Sequence, residues 1–103
     1  MAINIHLKEE GGRLVVVIDG DLNNAATKQA VQSFAPIYQH TDGDVVLDCT
    51  ALNYISSSGL RMMLDVYKHT RANGHDTILK HIADDVKEVF ELSGFLQLFK
   101  VEN

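Results

Sequence analysis

An α/β fold built on a mostly parallel, mixed sheet is predicted by three features of the chain. Short apolar runs alternate with segments of helical periodicity, the pattern of successive strand–helix–strand crossovers. The first two runs meet at Gly11-Gly12, which makes an antiparallel hairpin whose first strand lies at the sheet edge. Turn and cap residues separate the runs, so strands and helices have marked ends. The expected order is β-β-α-β-α-β-α-β, with about five strands, an N-terminal antiparallel edge strand and three or four helices.

Each element has its own signal. "INIHLKEE" (3–10) alternates Ile3, Ile5 and Leu7 with Asn4, His6 and Lys8, the period-two pattern of a half-exposed strand. "RLVVVID" (13–19) is a nearly unbroken apolar run and suits a strand covered on both faces. "GDLNNAAT" follows, with Asn23 or Asn24 capping a helix that turns Ala26, Ala30, Val31, Phe34 and Ile37 toward the sheet. Pro36 ends or kinks that helix, since it lacks a donor and disfavours a helical Ala35. "TDGD" is a turn, "VVLDC" a buried strand and "TALNYISSSG" a loop. The second helix runs from about Ser57 to Ala72 and stops at Asn73-Gly74, with Leu60, Met63, Leu64 and Tyr67 as its inward stripe. "DTILKH" is a strand, "ADDVKEVFELSG" a helix capped by Asp84, and "LQLFKV" a final short strand.

The totals exclude several classes. Hydrophobic residues at 46% and charged residues at 22% fit one globular core, a single domain over 1–103, and not a disordered chain. A net charge of −5 with scattered Lys and Arg offers no basic stripe for nucleic acid. No run approaches the ~18 apolar residues of a spanning helix, and "MAINIHLKEE" lacks the apolar core of a signal peptide. A cytoplasmic monomer without a membrane partner is the expectation. The single cysteine, Cys49, rules out an internal disulfide and is expected to pack as a small core residue.

In an open parallel sheet, sites collect where strand carboxyl ends lead into helices. Three segments meet there: "DGDLNN", the serine-bearing "TALNYISSSG" and "HIAD". Ser56 or Ser57 can cap the second helix, and Gly59 permits close approach of another backbone. A nucleophile elbow would need glycine where Ile55 stands, and His6, His40, His69, His75 and His81 show no pairing with a serine. No phosphate-binding loop pattern or metal-ligand spacing occurs, so no catalytic residue, metal or cofactor is expected. A different class remains open: a magnesium-dependent receiver phosphorylated on Asp48, with Asp19 and Asp21 beside the ion. Asp48 is otherwise expected to hold the serine loop through its amides. Met62 and Val66 either face a partner or pack against a neighbouring helix.

"GDLNNAA", "VVLDCTALNYISSSGLRMML" and "VKEVFELSGFLQLFKV" together resemble the STAS domain, in particular the bacterial anti-sigma factor antagonists. The resemblance spans about residues 13–101. It implies a non-enzymatic regulator that binds an anti-sigma factor/serine kinase when unphosphorylated, freeing a sigma factor. Phosphorylation by that kinase ends the interaction and a serine phosphatase restores it. Position by position, the phosphorylated serine falls on Ser57, with Ser56 and Ser58 as lesser candidates. Asp21, Asn23, Ser56, Ser57, Ser58, Arg61 and Met62 are the implied partner-binding set, and Asp48 and Gly59 shape the site. Ser56 and Asn23 stand where the family usually has aspartate, which removes two negative charges. The same resemblance admits a STAS module of a transporter or sensory complex without a phospho-switch.

Overall fold

The computed structural model describes residues 3–102. In chain order it has β1 (Asn4–Glu10), β2 (Arg13–Leu22), α1 (Asn24–Phe34), a 3-10 turn (Ala35–Gln39), β3 (Val45–Asp48) and β4 (Leu52–Ile55). There follow α2 (Ser57–Ala72), β5 (Thr77–Lys80), α3 (Asp84–Ser93), a second 3-10 turn (Leu96–Leu98) and β6 (Lys100–Glu102). The six strands form one sheet in the order β1-β2-β3-β5-β6, with β4 pairing on β2. β1 is antiparallel to β2, and every other pairing is parallel.

From β2 to β6 each crossover moves the same way across the sheet. Right-handed connections therefore carry all three helices to one face. There Ala30 and Phe34 of α1, Met63 and Val66 of α2, and Val86 and Phe90 of α3 close on Val16, Ile18, Leu47 and Leu79. This corrects the two-sided cover expected for β2. On the opposite face Val15, Val46 and Ile78, with Val17, form a separate small cluster that contains no helix residue. They lie in the cross-strand row Lys8–Val15–Val46–Ile78–Lys100. Lysine stems at both ends of such a row can shield apolar side chains and keep their charges in water. The one-way strand order also overturns the receiver alternative, whose doubly wound sheet has helices on both faces.

Other expectations shift in instructive ways. "LNYI", read as loop, is β4: a bulge between Gly20 and Asp21, with Gly20 at φ 116°, re-aims the end of β2 to pair with it. Val31 is 60% exposed because Ala26, Ala30, Phe34 and Ile37 already make one stripe and residue 31 falls beside it. In α2 the buried side chains are Leu60, Met63, Val66 and Thr70, while Leu64 and Tyr67 are half-buried. The helix packs on α1 as well as on the sheet, which rotates its buried arc. The cap of α3 is Ala83, without a side-chain bond, and Asp84 and Asp85 instead sit in the first turn, where the helix dipole favours them. Part of the expected last strand is the 3-10 turn at Leu96–Leu98.

One contact fixes where α2 starts. A Cβ on Gly59 would lie 2.8 Å from both Cγ and the carbonyl oxygen of Leu22, and 3.0 Å from Cγ1 of Ile55. Only a residue without a side chain lets the helix come this close to β2 and β4. Gly59→Ala is therefore expected to destabilise the domain by about 1–3 kcal/mol despite alanine's better helix propensity. Urea unfolding of the two proteins measures this, and an unchanged midpoint contradicts the tight contact.

Candidate functional site

The end of β2, the end of β4 and the first turns of α1 and α2 converge at one corner of the sheet. α1 is capped by Asn23, whose backbone is extended and whose side-chain Oδ1 accepts the amide of Ala26 at 2.9 Å. α2 begins at Ser56, also extended, whose Oγ accepts the amide of Gly59 at 3.1 Å. The Ser56 amide and hydroxyl both donate to the carbonyl of Leu22, at 2.9 and 3.1 Å. Ser56 is thus a cap and a strap, and it is only 8% exposed.

Ser58 is spent differently. Its hydroxyl donates to Oδ1 of Asn24 at 2.6 Å, tying the first turn of α2 to that of α1. It also lies 3.0 Å from the Ser56 hydroxyl. With its own proton on Asn24, any bond between these two hydroxyls has to share the Ser56 proton with the Leu22 carbonyl. Ser57 stands between these two with its side chain exposed and, among the described residues, with no hydrogen-bond partner. Three consecutive hydroxyls have three environments, and only the middle one is free.

The surface around Ser57 is shallow. It shares a depression of ≈ 230 Å³ with Ser58 and Arg61. A neighbouring cleft of ≈ 330 Å³ is lined by Ser57, Leu60, Arg61, Leu64, Ser93 and Phe95, between α2 and the end of α3. Arg61 is exposed and makes no ion pair among the described residues. Asp21 is half-buried on β2 and pairs in register with Tyr54 of β4, a residue that is 52% exposed. Tyr54 escaped the sequence reading because its strand did; its signal was the aromatic, β-favouring run before the serines. Val66 is fully buried and Met62 half-buried against the core, so the packing alternative holds for Val66 and Met62 keeps only part of its surface outward.

Asp48 does bond an amide of the serine-bearing segment, at its start. Its Oδ1 accepts the amide of Thr50 at 3.1 Å and the Thr50 hydroxyl at 2.6 Å. Partial burial works to raise this carboxyl, but the Thr50 bonds, with Lys80 and His81 nearby, outweigh it and hold it below the usual carboxylate range. Among the described residues no group of three or more His, Cys, Asp or Glu side chains could hold a metal ion. Burial, with Asp48 adjacent, pushes the Cys49 thiol up to about 12.

The STAS domain family model matches residues 4–103. This chain belongs to the STAS domain family. Within it, the similarity runs to anti-sigma factor antagonists. BtrV of Bordetella bronchiseptica, named as such an antagonist, is 39% identical over 92 residues, covering 89% of this chain and 79% of that protein. The structure of a Thermotoga maritima protein described in the same terms matches with a TM-score of 0.86 at 15% identity, over 96% of this chain and 86% of its own. The anti-sigma factor antagonist SpoIIAA, solved in its unphosphorylated form, gives 0.79 at 22% identity over 97% and 89%. Its phosphorylated form from Bacillus gives 0.72 at 20%, over 97% and 92%. In this STAS domain the serine corner is therefore built on the family's fold, with Ser56 supplying by a neutral hydroxyl the cap of α2.

Ser56→Ala removes that cap and the second bond to Leu22. It is expected to cost about 1–2 kcal/mol, seen as a lower urea midpoint, whereas Ser57→Ala leaves the midpoint within about 0.5 kcal/mol. Cys49 is the neutral thiol at pH 8, because its folded-state value is raised from 9.0 to about 12. An aromatic disulfide reagent at about pH 8 is expected to label it only at the rate of unfolding; labelling as fast as a free thiol would contradict its burial.

Proposed function

We propose that this STAS domain is a partner-switching anti-sigma factor antagonist with Ser57 as its switch. Unphosphorylated, it binds an anti-sigma factor that is also a serine kinase, and the sigma factor is released. The kinase then transfers the terminal phosphoryl group of ATP to Ser57 Oγ; ADP leaves and the hydroxyl proton is lost. A serine phosphatase reverses the step. The chain itself acts as ligand and substrate, not as an enzyme, and works in the cytoplasm as a monomer. Asp21, Asn23, Tyr54, Arg61 and the outward part of Met62 rim the docking surface. The observation that carries the reading is the division among the three hydroxyls: Ser56 is buried in a cap, Ser58 is committed to Asn24, and Ser57 is free. SpoIIAA, solved in both states, supports a modification cycle on this fold.

Phosphate at Ser57 adds about −1.5 to −2 charges at the first position of α2, where the helix amides tolerate an anion. The fold is kept and the interface is lost. A penalty of ~3 kcal/mol at a surface the partner must cover is about a hundredfold in affinity. The test incubates the protein with the anti-sigma kinase encoded in the same genome and ATP, then maps phosphate by peptide mass spectrometry. Phosphate is expected on Ser57, absent from Ser57→Ala, with binding of the kinase weakened about a hundredfold in the modified protein. Phosphate confined to Ser56 or Ser58 would reject the assignment. No phosphate and no binding would favour a STAS module of another assembly.

A further inference from the structure

We propose that Arg61 is the intramolecular counter-ion of the phosphate on Ser57, so that modification withdraws a cation from the docking surface as it adds a dianion. The inference rests on Ser57 being the acceptor and concerns what the phosphate does once there. Residues 57 and 61 stand one turn apart on α2, and both line the depression of ≈ 230 Å³ and the adjoining cleft of ≈ 330 Å³. Side chains at this spacing are neighbours, with Cβ atoms about 5–6 Å apart. Among the described residues no other cationic side chain lines either hollow.

Arg61 has a competing carboxylate one turn further on, Asp65. The two are not within ion-pair distance in the structure, and Asp65 lies near Tyr38, whose phenol is raised by burial and then by that carboxylate. Sequence polarity explains the preference. An acid placed N-terminal to a base at this spacing pairs better than the reverse order, because it agrees with the helix dipole. Phosphoserine 57 with Arg61 has the favourable order, and Arg61 with Asp65 the unfavourable one. A dianion with three acceptor oxygens also offers the guanidinium a two-point contact that a single carboxylate across the turn does not.

The consequence for partner choice is specific. Before modification, Arg61 is an unpaired cation beside a partly apolar cleft, suited to a carboxylate of the partner set next to an apolar side chain. After modification, the same guanidinium closes over the phosphate, and the partner's carboxylate meets a net negative surface. The switch then acts twice at one place.

The test installs phosphoserine at position 57 during translation and follows its second ionisation by phosphorus NMR at about 20 mM salt. The ordinary value is about 6. The midpoint in the wild-type background is expected to lie roughly 0.3 pH units below that of Arg61→Gln, with Arg61→Lys between them. The gap should close at about 1 M salt, where screening reaches ~3 Å. Coincident midpoints at low salt overturn the proposal. So does a gap that survives high salt, which would assign the effect to altered structure. No kinase is involved, so a negative result rejects the Arg61 contact alone. A wrong acceptor would appear only in the peptide map described above.

Discussion

The serine corner depends on how near the first turn of α2 comes to the carbonyl of Leu22. That oxygen receives both the amide and the hydroxyl of Ser56, and it lies where a Cβ on Gly59 would have to go. The three facts support one another. Gly59 lets the helix approach, the approach puts Ser56 under cover, and a covered hydroxyl must be bonded or it costs stability. Ser56 satisfies its proton on Leu22 and its lone pair on the Gly59 amide. The helix is pinned at its start, and Ser57 is left outside as the first residue past the cap.

Topology supplies the rest of the arrangement. Because every crossover after β2 runs the same way, the helices share one face and their N-termini line up along one edge. α1 and α2 start close enough for Ser58 to reach Asn24 directly. β4 adds the last piece. It occupies the stretch of β2 beyond the reach of β3, and it brings Tyr54 beside Asp21. A surface assembled from β2, β4, α1 and α2 is carried by strands and helix starts and not by a free loop, so a partner docking there would meet a lower ordering cost.

Much of this was legible in the chain. The hairpin, the alternation of strands and helices, a cap at Asn23 or Asn24 (the structure uses Asn23) and the stop at Gly74 all follow from local signals that the tertiary structure had no reason to override. The serine triplet announced a helix start, and the resemblance singled out Ser57. What the sequence hid was decided by non-local geometry. β4 has only four residues and exists because a bulge at Gly20–Asp21 turns β2 toward it, a property of β2 and not of "LNYI". Val31 looked inward on apolarity alone, although its neighbours already filled the stripe. The helix-free second face of the sheet was invisible because a run such as "RLVVVID" reads the same whether or not helices cover both its faces. Tyr54 and Asn24 joined the site only once their partners were in place.

The proposal of a phosphate on Ser57, and not on its neighbours, rests on the same geometry. On Ser56 it would have to leave a position 8% exposed, breaking the Gly59 cap and the bond to Leu22, so modification would unseat the helix itself. On Ser58 it would break the link to Asn24 and set a dianion against the amide oxygen that now accepts its proton. Either change couples the signal to a loss of fold, and a protein of ordinary marginal stability has few kcal/mol to lose. At Ser57 nothing in the fold is broken, and the first-turn amides favour the added charge. Two structural serines therefore do more than flank the proposed switch. They commit their own hydroxyls and leave the third one exposed, and they would hold the helix in place under the proposed phosphate.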